Sequence, residues 1–448
     1  MMMRKIIFIG GAIFTMISAI AQDQAPAVLT FKEAVKIGLK NNVALNTQKN
    51  QLEYTQLNKT SQMLQLGPTV QAQGSAYRVD GNSFNNNTGT VVNGVIDYVN
   101  GSVGASIPIF NGFNQINLYR QASSLNEAQL HYVNRSQQDV IQFVAAQYLT
   151  VLLDKELIKI YQDNVKTQQV QYDQIQAQVE VGSKAEADLK NQDVQLKNAE
   201  LTLLRQRNSY LNDLNTLALT LQVDPTFDLD TLNWDINAIL SDSLQLETLY
   251  TTAVERRSDL KQAEASEKAA QYGYYSFKGR YFPYLSAGVS YGSRYNYVQG
   301  FENRSFSDQF TKDNTQLSYG LSLTIPIYGG LSARTQTAMS RVSYENSKLR
   351  RRNAEVTIKT DVIRAYQNFT GAKTAYLANV EILKAAELSY QMEKERYDLD
   401  ISNIAQLSLS NQMRIAARGN YQSSLYTLMF QNLLLQYAIG TLRFEDVP

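Results

Sequence analysis

Two stretches, ASIPIFNGF (105–113) and LTIPIYGGL (323–331), spell the same element 218 positions apart. In each, an alternating apolar run enters Ile-Pro-Ile, meets an aromatic residue and ends on glycine. Pro108, Phe110 and Gly112 carry it in one copy; Pro326, Tyr328 and Gly330 carry it in the other. An element written twice marks an internal repeat, and a repeat decides the fold before any local assignment does.

The repeat runs outward in both directions. LTFKEAVKIGLKNNVALNTQ from Leu29 aligns with LQLETLYTTAVERRSDLKQA from Leu244 at an offset of 215, which also superposes Pro68 on Pro283. Beyond the next loop the offset is 218, and it holds through Leu189 on Leu407. The chain therefore reads as a first repeat over 22–225, a connecting segment over 226–243 and a second repeat over 244–448. Prolines punctuate these halves, because proline lacks an N–H and is costly inside a helix or central strand.

Each half contains two strand signals. From Leu317 the apolar set is Leu317, Tyr319, Leu321, Leu323, Ile325 and Ile327, with Ser318, Gly320, Ser322 and Thr324 between them. Val103, Ala105, Ile107 and Ile109 alternate with Ser102, Gly104 and Ser106, and the run after Pro283 follows the same rule. The run after Pro68 (Val70, Ala72, Ala76) is weaker. Period-two alternation gives one apolar and one wet face. The expected strands are 69–79, 101–110, 284–297 and 316–328. Lengths near ten residues suit tilted membrane strands, and Tyr281, Phe282, Tyr284, Tyr295, Tyr297, Tyr328 and Phe110 gather near their ends as interfacial aromatics do. The same alternation also suits a half-buried strand of a soluble sandwich. The Asn-, Gly- and Ser-rich segments between paired strands, 78–100 and 294–316, read as long hairpin loops.

The helices tip the balance. Residues 113–181 contain no glycine or proline over 69 positions. At about 1.5 Å per residue such a rod spans roughly 100 Å, longer than a compact domain needs. Apolar residues recur at three- and four-residue steps (Val140, Phe143, Val144, Val151, Leu152; then Val356, Val362, Ile363, Tyr366), as in coiled-coil seams. Long helices are thus expected over 113–224 and 331–440.

The opening residues MMMRKIIFIGGAIFTMISAIAQ combine a basic start, an apolar run and Ala19-Ile20-Ala21, which reads as a signal peptide over 1–21. Without it, 40 Lys and Arg face 41 Asp and Glu, so nothing favours nucleic acid as a partner. Zero cysteines exclude disulfides and thiolate metal sites. No later segment has 18 uninterrupted apolar residues, so the exported chain is either soluble or inserted as β-structure. Inserted, four strands cannot close a barrel, since the smallest membrane barrels use about eight. An open sheet edge in lipid leaves backbone groups unpaired at several kcal/mol each. Several chains must then pool their strands; two, three or four would each serve.

The duplicated strand–strand–long helix plan resembles the TolC family of outer-membrane efflux channels. The resemblance rests on LGPTV and YFPYL before the first strand of each half, IPIFNG and IPIYGG after the second, DLKQAEA (259–265), and VGSKAEADL (181–189) at a helix turn. It covers essentially the whole mature chain. It implies a mainly α fold with a membrane β-barrel: a homotrimer sharing twelve strands on a long α-helical tunnel in the periplasm. It also implies a passive exit duct through outer-membrane lipid, serving an inner-membrane pump of the RND or ABC type through a periplasmic adaptor. The turns Gly182, Ser183, Lys184 and Ile401, Ser402, Asn403 would dock the adaptor. Arg396, Asp398, Asp400, Gln406 and Asp188 would form the tip and gate. The sequence departs from the family where prolines are common, at Val43 and Ser258, and where tip aspartates are known, at Gln406 and Leu409.

Reaction chemistry finds little support. His131 is the single histidine, and neither a nucleophile elbow nor a P-loop is present. No cofactor and no enzyme activity are expected. The rival reading is a periplasmic coiled-coil adaptor, which would need small β-domains in place of ten-residue strands with apolar faces.

Overall fold

The computed structural model describes residues 28–85, 89–231, 234–241, 244–329, 331–399 and 401–446. The signal segment, Gly330 and Asp400 lie outside the described residues.

The first half opens with β1 (Val28–Leu29) and α1 (Phe31–Asn41). Thr30 starts α1 with a capping box: its hydroxyl accepts from Glu33 N at 3.3 Å and its N–H donates to the Glu33 carboxylate at 3.0 Å. There follow α2 (Val43–Leu64), β2 (Thr69–Asn85), β3 (Thr90–Phe110), α3 (Asn114–Glu180) and α4 (Glu186–Leu221). The connecting segment holds β4 (Asp228–Leu229) and α5 (Ile236–Ser241). The second half repeats the series as α6 (Leu246–Arg256), α7 (Ser258–Gly279), β5 (Tyr284–Val298), a helical turn α8 (Phe306–Asp308), β6 (Gln316–Thr324), α9 (Ser332–Asp398) and α10 (Ile404–Ala438). The two longest helices, α3 and α9, are each 67 residues long. At about 1.5 Å per residue each is a rod of roughly 100 Å.

Proline is absent at Val43 and Ser258, yet both leading helices still break there. Asn42 takes over as N-cap, accepting from Leu45 N at 2.8 Å. In the second half Arg257 holds the break, with its guanidinium on Asp259 and Asp361.

Strand boundaries differ from the sequence expectation. The segment read as a loop within 78–100 is mostly ladder, because β2 and β3 pair without interruption out to Asn85↔Thr90. Val79, Val91, Val95 and Ile96 supply β-branched residues among the glycines and asparagines, and backbone pairing needs no apolar face. Conversely, β6 stops at Thr324 and not at 328, since Pro326 cannot donate to a ladder.

The core lies at the middle of the rods. Leu29, Phe31, Val144, Tyr148, Leu217 and Leu229 are buried where α1, α3 and α4 meet the β1–β4 pair. The Tyr148 hydroxyl donates to the carbonyls of Leu29 and Asp230, each at 2.9 Å, tying the chain's start to the connecting segment. Trp234 of that segment packs on the same cluster, 6.5 Å from Phe31. A second cluster, with Leu249, Ile358, Val362 and Phe369, occupies the equivalent place in the other half.

Candidate functional site

Two regions stand out: the four-stranded sheet and the turns that close the long helical hairpins.

The sheet has the order β2-β3-β5-β6, all antiparallel, so the two repeats join edge to edge through β3 and β5. Its register sorts residues cleanly. One face carries the rows Ile107–Ala287–Leu321, Val70–Ala105–Val289–Tyr319 and Ala72–Val103–Tyr291–Leu317. These side chains project into the open: Tyr319 is 83% and Leu321 71% exposed. The other face carries Thr69–Ser106–Gly288–Gly320, Gln71–Gly104–Ser290–Ser318 and Gln73–Ser102–Gly292–Gln316. A trough of about 550 Å³ runs along this polar face.

The apolar band has a measurable height. Along β5 it extends from Leu285 to Tyr295, broken at the row Gly74–Gly101–Ser293, where the Phe310 ring lies against Gly101, and the next row outward is the Arg78–Asp97 ion pair at 2.6 Å. Ten residues at about 3.4 Å rise give roughly 34 Å, or about 25 Å once tilted as barrel strands are. That matches the apolar band of an outer-membrane barrel. The outer edges of β2 and β6 have no strand partner among the described residues.

At the strand-to-helix elements the copies diverge. Pro108 and Phe110 flank a bulge, and Gly112 turns the chain at φ +63°. Gly112 lies backbone to backbone against the end of α7: a Cβ there would stand 2.1 Å from the Gly279 carbonyl. Pro326 and Tyr328 have no such seat, and Tyr328 is 84% exposed.

At the tips both hairpins end alike. Ser183 N donates to Gln178 O at 2.8 Å, and Ile401 N donates to Arg396 O at 2.8 Å. Gly182 supplies the left-handed turn residue at φ +76°. Lys184 of the first turn reaches over the Tyr397 ring of α9, 5.6 Å from its centroid. Asn403 caps α10 by accepting from Gln406 N at 3.0 Å, and Ser402 donates to Gln406 at 2.8 Å and to Glu393. Arg396 pairs with Glu393 at 3.2 Å and Asp398 with Lys394 at 2.8 Å, both within one helix. Asp188 lies in the first turn of α4 with Glu186, where acidic residues suit the helix dipole. The structure thus places the described tip residues at two adjacent turns, while Arg396 and Asp398 pair along α9 and not across to the other hairpin.

Besides the Lys184–Tyr397 contact, further cross-hairpin ties occur higher up, at residues the sequence reading did not single out. Asn411 donates to Asn164 at 2.9 Å, Gln412 to Gln195 at 3.3 Å, and Arg418 bridges Asp163 at 2.8 Å and Glu387. Spaced along helices, these polar residues are indistinguishable in sequence from a solvated face.

His131 sits on α3, part-buried, and burial holds its pKa below the usual range. Among the described residues no group of three or more His, Asp or Glu could hold a metal, and no helix is long and apolar enough to cross a membrane.

The outer membrane efflux protein family matches residues 35–221 and 249–429, once per repeat. The chain belongs to this family. The outer membrane protein TolC of Escherichia coli (strain K12) is 21% identical over 314 residues, and that of Salmonella enteritidis 20% over 313. In both comparisons the match spans 69% of this chain and 63% of the relative's length. Among solved structures, CusC superposes with a TM-score of 0.79 at 15% identity, covering 94% of this chain and 95% of its own. The Campylobacter jejuni CmeC channel gives 0.79 at 15%, covering 92% and 85%. VceC of Vibrio cholerae gives 0.78 at 12%, covering 92% and 96%. At such identities the likeness establishes the fold of these efflux channels, the duplicated TolC-like halves included.

Proposed function

We propose that the chain is the outer-membrane exit duct of an efflux or type I secretion assembly. Copies, three in number by family precedent, close one barrel and one helical tunnel. Cargo is handed over by an inner-membrane pump through a periplasmic adaptor and passes without chemistry. The observation that carries this reading is the four-stranded sheet with one apolar face about 25 Å tall and two unpaired edges. Unpaired backbone groups in hydrocarbon cost several kcal/mol each, so β6 of one copy is supplied with β2 of the next.

The turns Gly182–Lys184 and Ile401–Asn403 are the docking points for the adaptor in this reading, because they are the exposed ends of both hairpins. The neighbouring Arg396, Asp398, Gln406 and Asp188, together with Asp400, form the gate. One experiment tests the assignment. The wild-type protein should be recovered from the outer membrane as a heat-modifiable oligomer that conducts in planar bilayers. Gly182→Glu and Ser402→Glu should assemble and conduct alike, yet leave cells unable to expel the cargo. Extraction without detergent as a monomer would instead favour the periplasmic coiled-coil adaptor. Normal efflux in both variants would remove the turns from docking.

A further inference from the structure

On the polar face of the sheet, the wall from Thr69–Ser106–Gly288–Gly320 outward to Gln73–Ser102–Gly292–Gln316 carries serine, threonine, glutamine and glycine and no charge. The next row outward is Ser75–Asn100–Arg294. Arg294 is exposed, it lines the trough on this face, and among the described residues nothing pairs with its guanidinium. The other cations of this layer are neutralised. Arg78 is held by Asp97 at 2.6 Å, Arg304 by Asp313 at 2.9 Å and Lys312 by Asp308 at 3.0 Å. Asp80 shares the opposite face with Arg78, and Glu302 belongs to the loop beyond the strands. One row further out, the Tyr77 and Tyr98 rings stack on the polar face with centroids 5.0 Å apart.

We propose that Arg294 is the charge-selecting residue of the barrel, forming with its copies a cationic ring inside a neutral wall that recruits anionic cargo at the outer mouth. The inference rests on the duct reading, since closure of the barrel is what turns one arginine per chain into a ring. A row of like charges inside a low-dielectric wall focuses its field and concentrates counter-ions locally. No charge stands on the rows beneath it, and Asp313, which lines the same trough, is held by Arg304, so among the described residues the unneutralised charge there is Arg294. The Tyr77–Tyr98 stack walls the passage just outside.

The test uses the full-length oligomer in planar bilayers, with hexacyanoferrate as a multivalent anionic blocker added to either side. Wild-type current should be blocked from the barrel side, and Arg294→Ala should raise the half-blocking concentration there by about tenfold or more. Block from the tip side should be unchanged, and Arg294→Lys should behave as wild type. Raising the salt should weaken the barrel-side block, as screening at a Debye length of about 8 Å near 0.15 M requires. A barrel-side block identical in wild type and Arg294→Ala overturns the proposal, and so does equal loss in the alanine and lysine variants. Absence of any wild-type conductance would instead overturn the duct reading beneath it.

Discussion

Helices α2 and α7 are the same element written twice, and they live in different surroundings. α7 packs against both α3 and α9, whereas α2 packs against α3 and, among the described residues, has no comparable packing on a second long helix. The buried face of α7 is a stripe of small residues: Ala265, Ala269, Gly273, Ser276 and Gly279. At the offset of 215 the equivalent positions on α2 are Asn50, Tyr54, Asn58, Ser61 and Leu64. Of these, Tyr54 is 65% and Leu64 68% exposed. The repeat places α7 in the groove between two long helices of its own chain. In the proposed assembly the same rule would seat α2 between its own α3 and the α9 of a neighbouring copy. One seam would then be completed by folding and the other by assembly, and their residues differ accordingly. A stripe of small residues lets backbones meet, while a tyrosine and a leucine span a wider gap.

The largest way to break this comparison is at the helix junctions. Arg257 is 2% exposed and binds Asp259, Asp361 at 3.1 Å and the Ala438 carbonyl at 3.3 Å. It thereby ties α7 to α9 and α10. Its counterpart Asn42 makes a local cap, accepting from Leu45 N at 2.8 Å, while Asn41 beside it donates to Leu221 O at 3.1 Å. Arg257→Ala leaves two carboxylates without their cation, at an expected cost of about 3–5 kcal/mol. Asn42→Ala removes one cap, at about 1 kcal/mol. Denaturant unfolding of the detergent-solubilised protein measures both, and equal losses would erase the distinction. The pH dependence adds a check. Burial pushes the Asp259 carboxyl up, but the Arg257 guanidinium outweighs it and holds the group below the usual range. A depressed carboxylate pKa adds stability that is present above the unfolded value of about 3.9 and lost as pH falls through the folded value. The acid-side loss should therefore begin only below about pH 4, and should be absent in Arg257→Ala.

The next test exchanges the seam residues. A Cβ at Gly279 would lie 2.6 Å from the Gly112 carbonyl, so Gly279→Leu forces the strand-to-helix junction apart. Overpacking of this kind costs about 1–3 kcal/mol. Leu64 occupies the matching position in the other half, and Leu64→Ala should leave the folded chain intact while lowering the temperature at which the oligomer dissociates. If Gly279→Leu melts and assembles like wild type, the two seams are not distinct.

Much of this organisation was legible in the residues themselves. The twin Ile-Pro-Ile elements and the offsets of 215 and 218 located the strands and long helices, because backbone chemistry and period dictate both. What escaped the sequence is relational. Nothing in GNSFN (81–85) distinguishes ladder from loop, since main-chain pairing is indifferent to those side chains. Arg396 and Asp398 looked like a gate by position, and within the chain they pair along α9. Arg418 and Asn411, which do bridge hairpins, carry no periodic signal. Arg294 was one arginine in a glycine-rich run until the register put it on the polar face, above rows without charge.

The smallest effect separates the two tunnel hairpins from each other. In the α3–α4 pair Asp154 is 7% exposed, and one of its oxygens accepts from Gln206 at 2.7 Å. Its other oxygen is buried beside the Asp213 carboxyl with no donor from a third residue. The matching positions of the α9–α10 pair are Ala372 and Gln431, so among the described residues only the first hairpin carries a buried acid. Burial first, and then Asp213, push Asp154 up to about 6. An acid whose folded pKa is raised contributes stability that is complete below its unfolded value of about 3.9 and is lost as pH rises through the folded value. The first hairpin should therefore loosen between about pH 4 and 7, by on the order of 2 kcal/mol, while the second does not respond. Asp154→Asn keeps a partner for Gln206 and can donate to Asp213 without titrating. Hydrogen exchange along α3 and α4, compared at pH 5 and pH 7.5, should show faster opening at the higher pH in wild type and none of that change in the variant. A pH response of the same size in both proteins would mean that the acid is paired in some other way and that the hairpins differ in sequence alone.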